Sequence, residues 1–139
     1  MKILALEFSS QKRSVAVTDD ADVLSEITTD QLKTGPLILI EQALEQAKID
    51  REEIQCLALG IGPGSYTGIR SAIAVAQGWQ LAGDTPLCAV SSAETLAATA
   101  RRNGLRGETH FIIDAQRHEY YHCAWQLDDQ AQLETTPLS

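Results

Sequence analysis

This sequence is short of basic residues and has no long apolar run, and each shortage excludes a class of protein. It has 11 Lys and Arg against 19 Asp and Glu, a net charge of -8 over 139 residues. Such a chain does not grip nucleic acid through a basic surface of its own, so a partner would have to hold any RNA. No run could span a membrane and no basic leader precedes an apolar stretch, which predicts a cytoplasmic location.

Cysteine is also scarce. The three cysteines, Cys56, Cys88 and Cys123, are odd in number and lie in apolar runs. This pattern predicts reduced thiols in the core rather than a disulfide framework or a metal site. The length suits one domain of ordinary size with a real core.

Short apolar segments between polar turns predict the element order β-β-β-α-β-α-β-α. Three strands joined by short turns form a meander, and two crossover units then add two more strands, so we expect one mixed five-stranded sheet with helices on its faces. This is the layout of one lobe of the actin, hexokinase and Hsp70 fold. The predicted strands cover residues 2–8, 14–18, 23–28, 54–61 and 86–90, and the helices 36–49, 67–82 and 92–103.

The pattern changes after Gly104. Residues 109–114 and 119–126 read as two strands across a polar turn, and residues 128–139 as a polar, loosely ordered end. We therefore expect a first lobe at residues 1–105 and an incomplete second lobe, a hairpin with a tail, at residues 106–139.

A glycine-rich stretch from Gly60 to Arg70 carries the strongest local signal, with four glycines and a proline in nine residues. It follows an apolar strand and precedes an alanine-rich helix. It is interpreted either as a tight strand-to-helix turn or as a helix start whose free N–H groups dock an anion or a partner carbonyl. The stretch lacks the Lys of a Walker loop and is not a G-x-S-x-G elbow. A dinucleotide fingerprint is a poor fit, because no acidic residue ends the strand at Val90.

A second motif, His118-Glu119-Tyr120-Tyr121-His122, matches the zinc protease pattern H-E-x-x-H. That chemistry needs a helix, where both imidazoles share a face. The aromatic composition here is typical of a strand, on which the two histidines would lie about 13 Å apart at about 3.3 Å per residue. We therefore predict no metal site, with His110, His118 and His122 on the surface or in the hairpin.

Two acidic residues, Glu7 and Asp114, each allow a functional and an ordinary structural interpretation. Glu7 ends the first strand, where a carboxylate in an actin-like lobe can order a metal and nucleotide phosphates, or can simply be solvated. Asp114 flanks the late hairpin turn with Arg117, and an ordinary turn aspartate is the simpler interpretation.

The segment Gly62-Pro63-Gly64-Ser65-Tyr66-Thr67-Gly68-Ile69-Arg70 resembles the signature G-P-G-S-[FY]-T-G-[LIV]-R of the TsaB (YeaZ) family. That family is the bacterial partner subunit in making threonylcarbamoyladenosine on tRNA. The opening Ile3–Glu7, the joint Val90-Ser91-Ser92 and the hairpin 113–121, with Asp114, Glu119 and Tyr121 at family positions, are similar too. The resemblance runs over nearly the whole chain.

The resemblance implies a two-lobed actin-like protein that has no catalysis and no cofactor of its own. It implies pairing with TsaD, which transfers threonylcarbamoyl to adenosine 37 of tRNA, with the ATPase TsaE joining that pair, and self-pairing when TsaD is absent. Both pairings would use the first-lobe helices 36–49 and 67–82. The expected interface residues are Leu37, Ile40, Leu44, Ile69, Ala72, Ile73 and Ala76.

Two departures from the family pattern bear on function. At the end of the first strand this chain has Glu7-Phe8-Ser9-Ser10 where the family has D-T-[AS]-x. The longer carboxylate and the bulky Phe8 disfavour a nucleotide site at Glu7 and Ser9. The chain also stops soon after the second lobe begins, as expected of a fragment or of a shortened member that buries surface by pairing. The alternatives to a partner subunit are an actin-like nucleotide-binding ATPase and a metallopeptidase.

Overall fold

The computed structural model describes residues 1–139 and separates into two compact units. The first comprises residues 1–61 and 65–90, and the second comprises residues 62–64 and 91–139. The chain therefore passes to the second unit at Ser91, whereas the sequence predicts a boundary at 105/106. The difference arises because the third helix packs on the second sheet through Ala93 and Ala97.

The first unit is the predicted mixed sheet, with strands in the order β3-β2-β1-β4-β5. β1 is antiparallel to β2, with Leu4 opposite Val17, and parallel to β4, with Leu4 opposite Leu57. Its strands are β1 (Lys2–Glu7), β2 (Arg13–Asp19), β3 (Asp22–Thr29), β4 (Cys56–Gly60) and β5 (Leu87–Val90).

Two helices, α1 (Pro36–Ala47) and α2 (Tyr66–Ala82), complete the first unit, with a short 3-10 turn at Arg51–Glu53. Pro36 occupies the first turn of α1, where its missing N–H costs least, and Lys48 ends the helix in the left-handed region at φ 56°. Buried Ser25 on β3 donates its hydroxyl to the carbonyl of Ala43 at 2.7 Å, which ties α1 to the sheet. Alternate residues of β1, β2 and β4 bury their side chains with these helices, as period-two strands require.

The second unit contains α3 (Ser92–Arg102) and a three-stranded antiparallel sheet in the order β6-β7-β8. The predicted hairpin is present as β6 (Gly107–Gln116) and β7 (Glu119–Leu127). The prediction of a loose end over 128–139 is wrong, because Gln132–Thr136 forms β8 against β7. Residues 132–136 are mostly polar, so the sequence does not indicate a strand there. Their side chains are mostly exposed, and the strand is held by backbone pairing with β7.

The cysteines occupy three different environments. Cys123 is buried and Cys56 is half-buried, and burial raises the pKa of both thiols. The prediction of a core position is wrong for Cys88, which is exposed because β5 is an edge strand. No helix of the structure has the length and apolar character needed to cross a membrane.

Candidate functional site

The glycine-rich loop between β4 and α2 is fastened at both of its ends inside the first unit. The amide of Ile61 donates to Val90 O at 3.0 Å, and the amide of Ser65 donates to Ser9 O at 2.6 Å. Ser65 also caps α2, its hydroxyl accepting from the amide of Gly68 at 3.2 Å. Because Ser65 and Gly68 already use their N–H groups within the unit, fewer donors remain at this helix start for an anion than the sequence suggested.

Gly68 is required by a close approach between two backbones. It is buried, and a Cβ at this position would collide with the carbonyl oxygen of Phe8 at the end of β1. The glycine therefore lets the first turn of α2 lie directly against the β1–β2 turn.

The middle of the loop, residues 62–64, belongs to the second unit. Gly62 has a φ of 89°, which favours glycine, and the Gly62–Pro63 peptide is cis. Ser92 at the start of α3 donates its amide to Gly62 O at 2.8 Å and its hydroxyl to Pro63 O at 2.9 Å. The loop is therefore held in place by hydrogen bonds to its backbone carbonyls as well as by those from its amides.

The side chains of this stretch that reach solvent are Ile61, Tyr66, Thr67 and Arg70. Tyr66 is 73% exposed, and the Arg70 guanidinium lies 5.3 Å from the centre of its ring. An exposed aromatic beside a cation can supply a large contact area at low entropic cost. Gly64 is also exposed and bears no side chain of its own.

Glu7 and Ser9 are joined at the end of β1. Glu7 Oε1 accepts from the amide of Ser9 at 2.7 Å, and its carboxylate lies over Gly60, where a Cβ would collide with it. The carboxylate therefore spans the neighbouring ends of β1 and β4 and is already held by one internal donor. No group of three or more His, Cys, Asp or Glu side chains is placed to hold a metal.

The predicted interface residues of α1 and α2 separate into two sets. Ala72 and Ala76 are fully buried in the core of the first unit rather than in an outer interface, and Ile40 is 4% exposed, with most of its side chain in that core. They point inward because each lies on the helix stripe that packs on the sheet. Leu37 and Ile73 are exposed, at 68% and 37%, while Leu44 and Ile69 are half-buried.

A groove of about 890 Å³ runs between α1 and α2, entirely within the first unit. Apolar side chains line it, and acidic residues and one arginine stand among them. Sequence reasoning missed the arginine, Arg51, whose guanidinium lies 4.5 Å from the centre of the Trp79 ring. We name this the α1–α2 groove; it is lined by Leu37, Ile40, Glu41, Leu44, Glu45, Ile49, Asp50, Arg51, Ala74, Val75, Gly78 and Trp79.

The second-unit residues at family positions lie around the β6–β7 turn. Asp114 Oδ1 accepts from the amide of Gln116 at 2.7 Å, an Asx turn of the expected kind. Glu119 and Tyr121 are exposed on the first residues of β7. Asp114 is exposed as well, so this end of the hairpin is a surface.

The histidines of the H-E-x-x-H motif are on different elements. His118 is in the turn with a φ of 65°, and His122 is within β7. His122 contacts a histidine from outside the motif: its Nε2 lies 3.0 Å from His110 Nδ1 on β6. Nothing in the spacing of the sequence identified this pair, which depends on the strand register.

Comparison with known proteins gives one consistent result. The family described as TsaD, tRNA N6-adenosine threonylcarbamoyltransferase, matches residues 3–134. The tRNA threonylcarbamoyladenosine biosynthesis protein TsaB of Escherichia coli is 32% identical over 131 residues, 93% of this chain and 57% of that protein. TsaB of Bacillus subtilis is also 32% identical, over 87% of this chain and 53% of its own length.

Solved structures agree with the sequence relatives. YeaZ from Pseudomonas aeruginosa superposes with a TM-score of 0.89 at 29% identity, covering 99% of this chain and 65% of that chain. An activator of 2-hydroxyisocaproyl-CoA dehydratase from Clostridium difficile has a TM-score of 0.55 at 16% identity, covering 98% of this chain and 46% of that chain, which shows the fold alone. The chain spans just over half the length of these curated relatives, 57% and 53%.

Proposed function

Since this chain belongs to the TsaB (YeaZ) family, we propose that it acts in forming threonylcarbamoyladenosine on tRNA as a non-catalytic subunit that binds TsaD. The similarity to TsaB of Escherichia coli, at 32% identity over 93% of this chain, and to YeaZ, at a TM-score of 0.89, is the observation that carries this proposal. TsaD would supply the transfer to adenosine 37, and TsaE would join through that pair. The acidic chain, at a net charge of -8, would leave the tRNA to its partners in the cytoplasm.

The α1–α2 groove is the proposed docking surface. Leu37 stands at its edge with 68% of its surface exposed, and Ile38 beside it is 50% exposed. Exposed apolar side chains around an apolar groove are typical of an interface, because burying them on association removes them from water. Arg51, whose guanidinium lies over the Trp79 ring, is of a residue type that often dominates binding energy, while Trp79 itself is 8% exposed and belongs to the core.

Charge favours a partner of definite character. Glu41, Glu45 and Asp50 line the groove against a single cation, Arg51. A partner helix that presents apolar anchors flanked by Lys or Arg would complement this surface. The same groove would serve self-pairing when TsaD is absent.

A pair of equally exposed leucines provides the test. Leu37 and Leu133 are each 68% exposed, but Leu37 is in the groove of the first unit and Leu133 is on β8 of the second. Size-exclusion chromatography with light scattering would be run on the chain alone and mixed with TsaD from the same source. We expect a heterodimer for the wild type and for Leu133→Asp, and separate components for Leu37→Asp. Equal behaviour of the two variants, or no complex for the wild type, would overturn the proposed role of the groove.

An actin-like nucleotide-binding ATPase remains the competing function because Glu7 is half-buried at the end of β1. Titration of ATP with magnesium distinguishes the two. We expect no saturable binding, since Glu7 already accepts from Ser9 and its carboxylate lies over Gly60. Saturable binding that Glu7→Gln abolishes would favour the ATPase.

A further inference from the structure

The outer face of the β6–β7 hairpin carries two imidazoles in direct contact. His110 Nδ1 and His122 Nε2 are 3.0 Å apart, and the two rings are nearly parallel, at 12° with centroids 5.2 Å apart. The register places Ile112 opposite His122 and His110 opposite Ala124, so the histidines are diagonal neighbours on one face. Diagonal positions on adjacent strands are within reach of aromatic side chains.

A carboxylate completes the arrangement. Glu108 Oε1 lies 3.1 Å from His110 Nε2. Because a carboxylate only accepts, the neutral imidazole of His110 carries its proton on Nε2 and presents the lone pair of Nδ1 towards His122. A carboxylate that fixes the tautomer and orientation of an imidazole in this way is the usual support of a metal-binding histidine.

We propose that His110 Nδ1 and His122 Nε2 form a binding site for a divalent, imidazole-preferring transition metal, such as Zn²⁺, Ni²⁺ or Cu²⁺. Two nitrogens bound to one ion at about 2.0–2.1 Å lie about 2.8–3.4 Å apart for coordination angles of about 90–110°. The observed 3.0 Å lies in this range. The centroid separation of 5.2 Å shows that the two nitrogens now point at each other along a hydrogen bond, so both rings turn slightly for their lone pairs to converge on one ion. When the ion binds, the Nε2 proton of His122, the one ring proton of its neutral form, moves to Nδ1 of the same ring through solvent. Both nitrogens then offer lone pairs to the ion, which lies beside the line that joins them.

The site is open and composed of two imidazoles. No group of three or more protein ligands is assembled here, so water fills the other coordination positions. Both histidines are on strands, whose ladder fixes their spacing before the ion binds. This proposal differs from the sequence prediction of no metal, because the partner of His122 is His110 and not His118.

The H-E-x-x-H motif supplies a matched control for the test. Zinc and nickel chloride would be titrated into the full chain by calorimetry, with His110→Ala, His122→Ala and His118→Ala variants. We expect one ion per chain for the wild type and for His118→Ala, and no saturable binding for the other two variants. Glu108→Gln should weaken binding about tenfold by removing the orienting carboxylate. The proposal is overturned if the wild type binds no ion, if His118→Ala loses binding as His122→Ala does, or if His110→Ala still binds.

A measurement on the wild type alone covers the case in which a variant fails to fold. Substoichiometric Ni²⁺ broadens the NMR signals of nuclei near the ion. We expect the imidazole signals of His110 and His122 to broaden together, well before those of His118. Broadening of His118 with His122, or equal broadening of all three, would contradict the site. Neither experiment requires TsaD, so its outcome is independent of the proposed partner function.

Discussion

The first and second units hold their sheets by different means. In the first, fourteen buried residues form one core between the sheet and two helices, with Leu4, Phe8, Leu57 and Trp79 among the largest. In the second, a core of five buried residues supports three strands and one helix. Burial of apolar side chains therefore contributes most of the stability of the first unit. Strand pairing, turns and helix capping contribute a larger share of the stability of the second.

Truncating one leucine in each core should expose this difference most strongly. Leu57→Ala in the centre of the first sheet should lower the free energy of unfolding by about 3–5 kcal/mol, because a tightly enclosed site cannot collapse around the cavity. Leu127→Ala, equally buried at 1% exposure but in the small core, should cost about 2–3 kcal/mol. Denaturant titration would measure both.

Amide hydrogen exchange would show whether the two units open separately. With Leu127→Ala, we expect faster exchange in β6–β8 and unchanged protection in β1 and β4. Faster exchange across both sheets would show that the two units unfold as one, and the comparison would then fail.

A pair of glycines in α2 should have opposite effects within the first unit. Gly68→Ala should lower the free energy of unfolding by about 2–3 kcal/mol, because its Cβ would collide with the carbonyl of Phe8. Gly78→Ala, in the same helix with open space around the Cβ position, should raise that free energy by about 0.5–1 kcal/mol through helix propensity. Thermal unfolding of both variants decides the point, and equal effects would show that the close approach does not matter.

Helix capping should matter more in the second unit. Ser91 and Glu94 form a reciprocal box at α3, with Ser91 N donating to Glu94 Oε2 at 2.8 Å and Glu94 N donating to Ser91 Oγ at 3.1 Å. Ser65 caps α2 by one bond only. We expect Ser91→Ala to cost about 1–2 kcal/mol and Ser65→Ala about 0.5–1 kcal/mol. The reverse order in chemical denaturation would contradict this.

The smallest predicted effect is a pH dependence in the β7–β8 turn. Backbone amides of Ala131 and Gln130 donate to Asp128 and lower the pKa of its carboxyl below the ordinary 3.8. A lowered folded-state pKa stabilises the fold above the unfolded-state pKa, and that contribution is lost as the pH falls through the folded-state value. Protection of the Ala131 amide should therefore decrease below about pH 4 in the wild type. In Asp128→Asn it should be independent of pH over that range.

Much of the fold could be predicted from sequence because most of its strands and helices are specified by residues that are close together in the chain. The apolar runs of β1 and β4, the proline at the start of α1 and the capping box at Ser91 each act within a few residues. β8 could not be predicted, because residues 132–136 are mostly polar and their strand conformation depends on pairing with β7.

The candidate site was predictable only in part. The glycine loop stands out because Gly68 and Gly62 have backbone requirements that a sequence shows directly. The assignment of Ala72 and Ala76 to an interface was wrong because small residues suit both close core packing and docking, and sequence does not distinguish these uses. The stacking of Arg51 on Trp79 and the contact of His110 with His122 depend on tertiary geometry and left no local signal.

The strand order of the first sheet has a consequence for synthesis of the chain. β1 is a central strand, with β2 on one side and β4 on the other, yet residues 56–60 follow it only after α1 has been made. A nascent chain that has formed β1–β3 therefore exposes the whole open edge of β1 until β4 leaves the ribosome. Unpaired edges of this kind invite association with other chains.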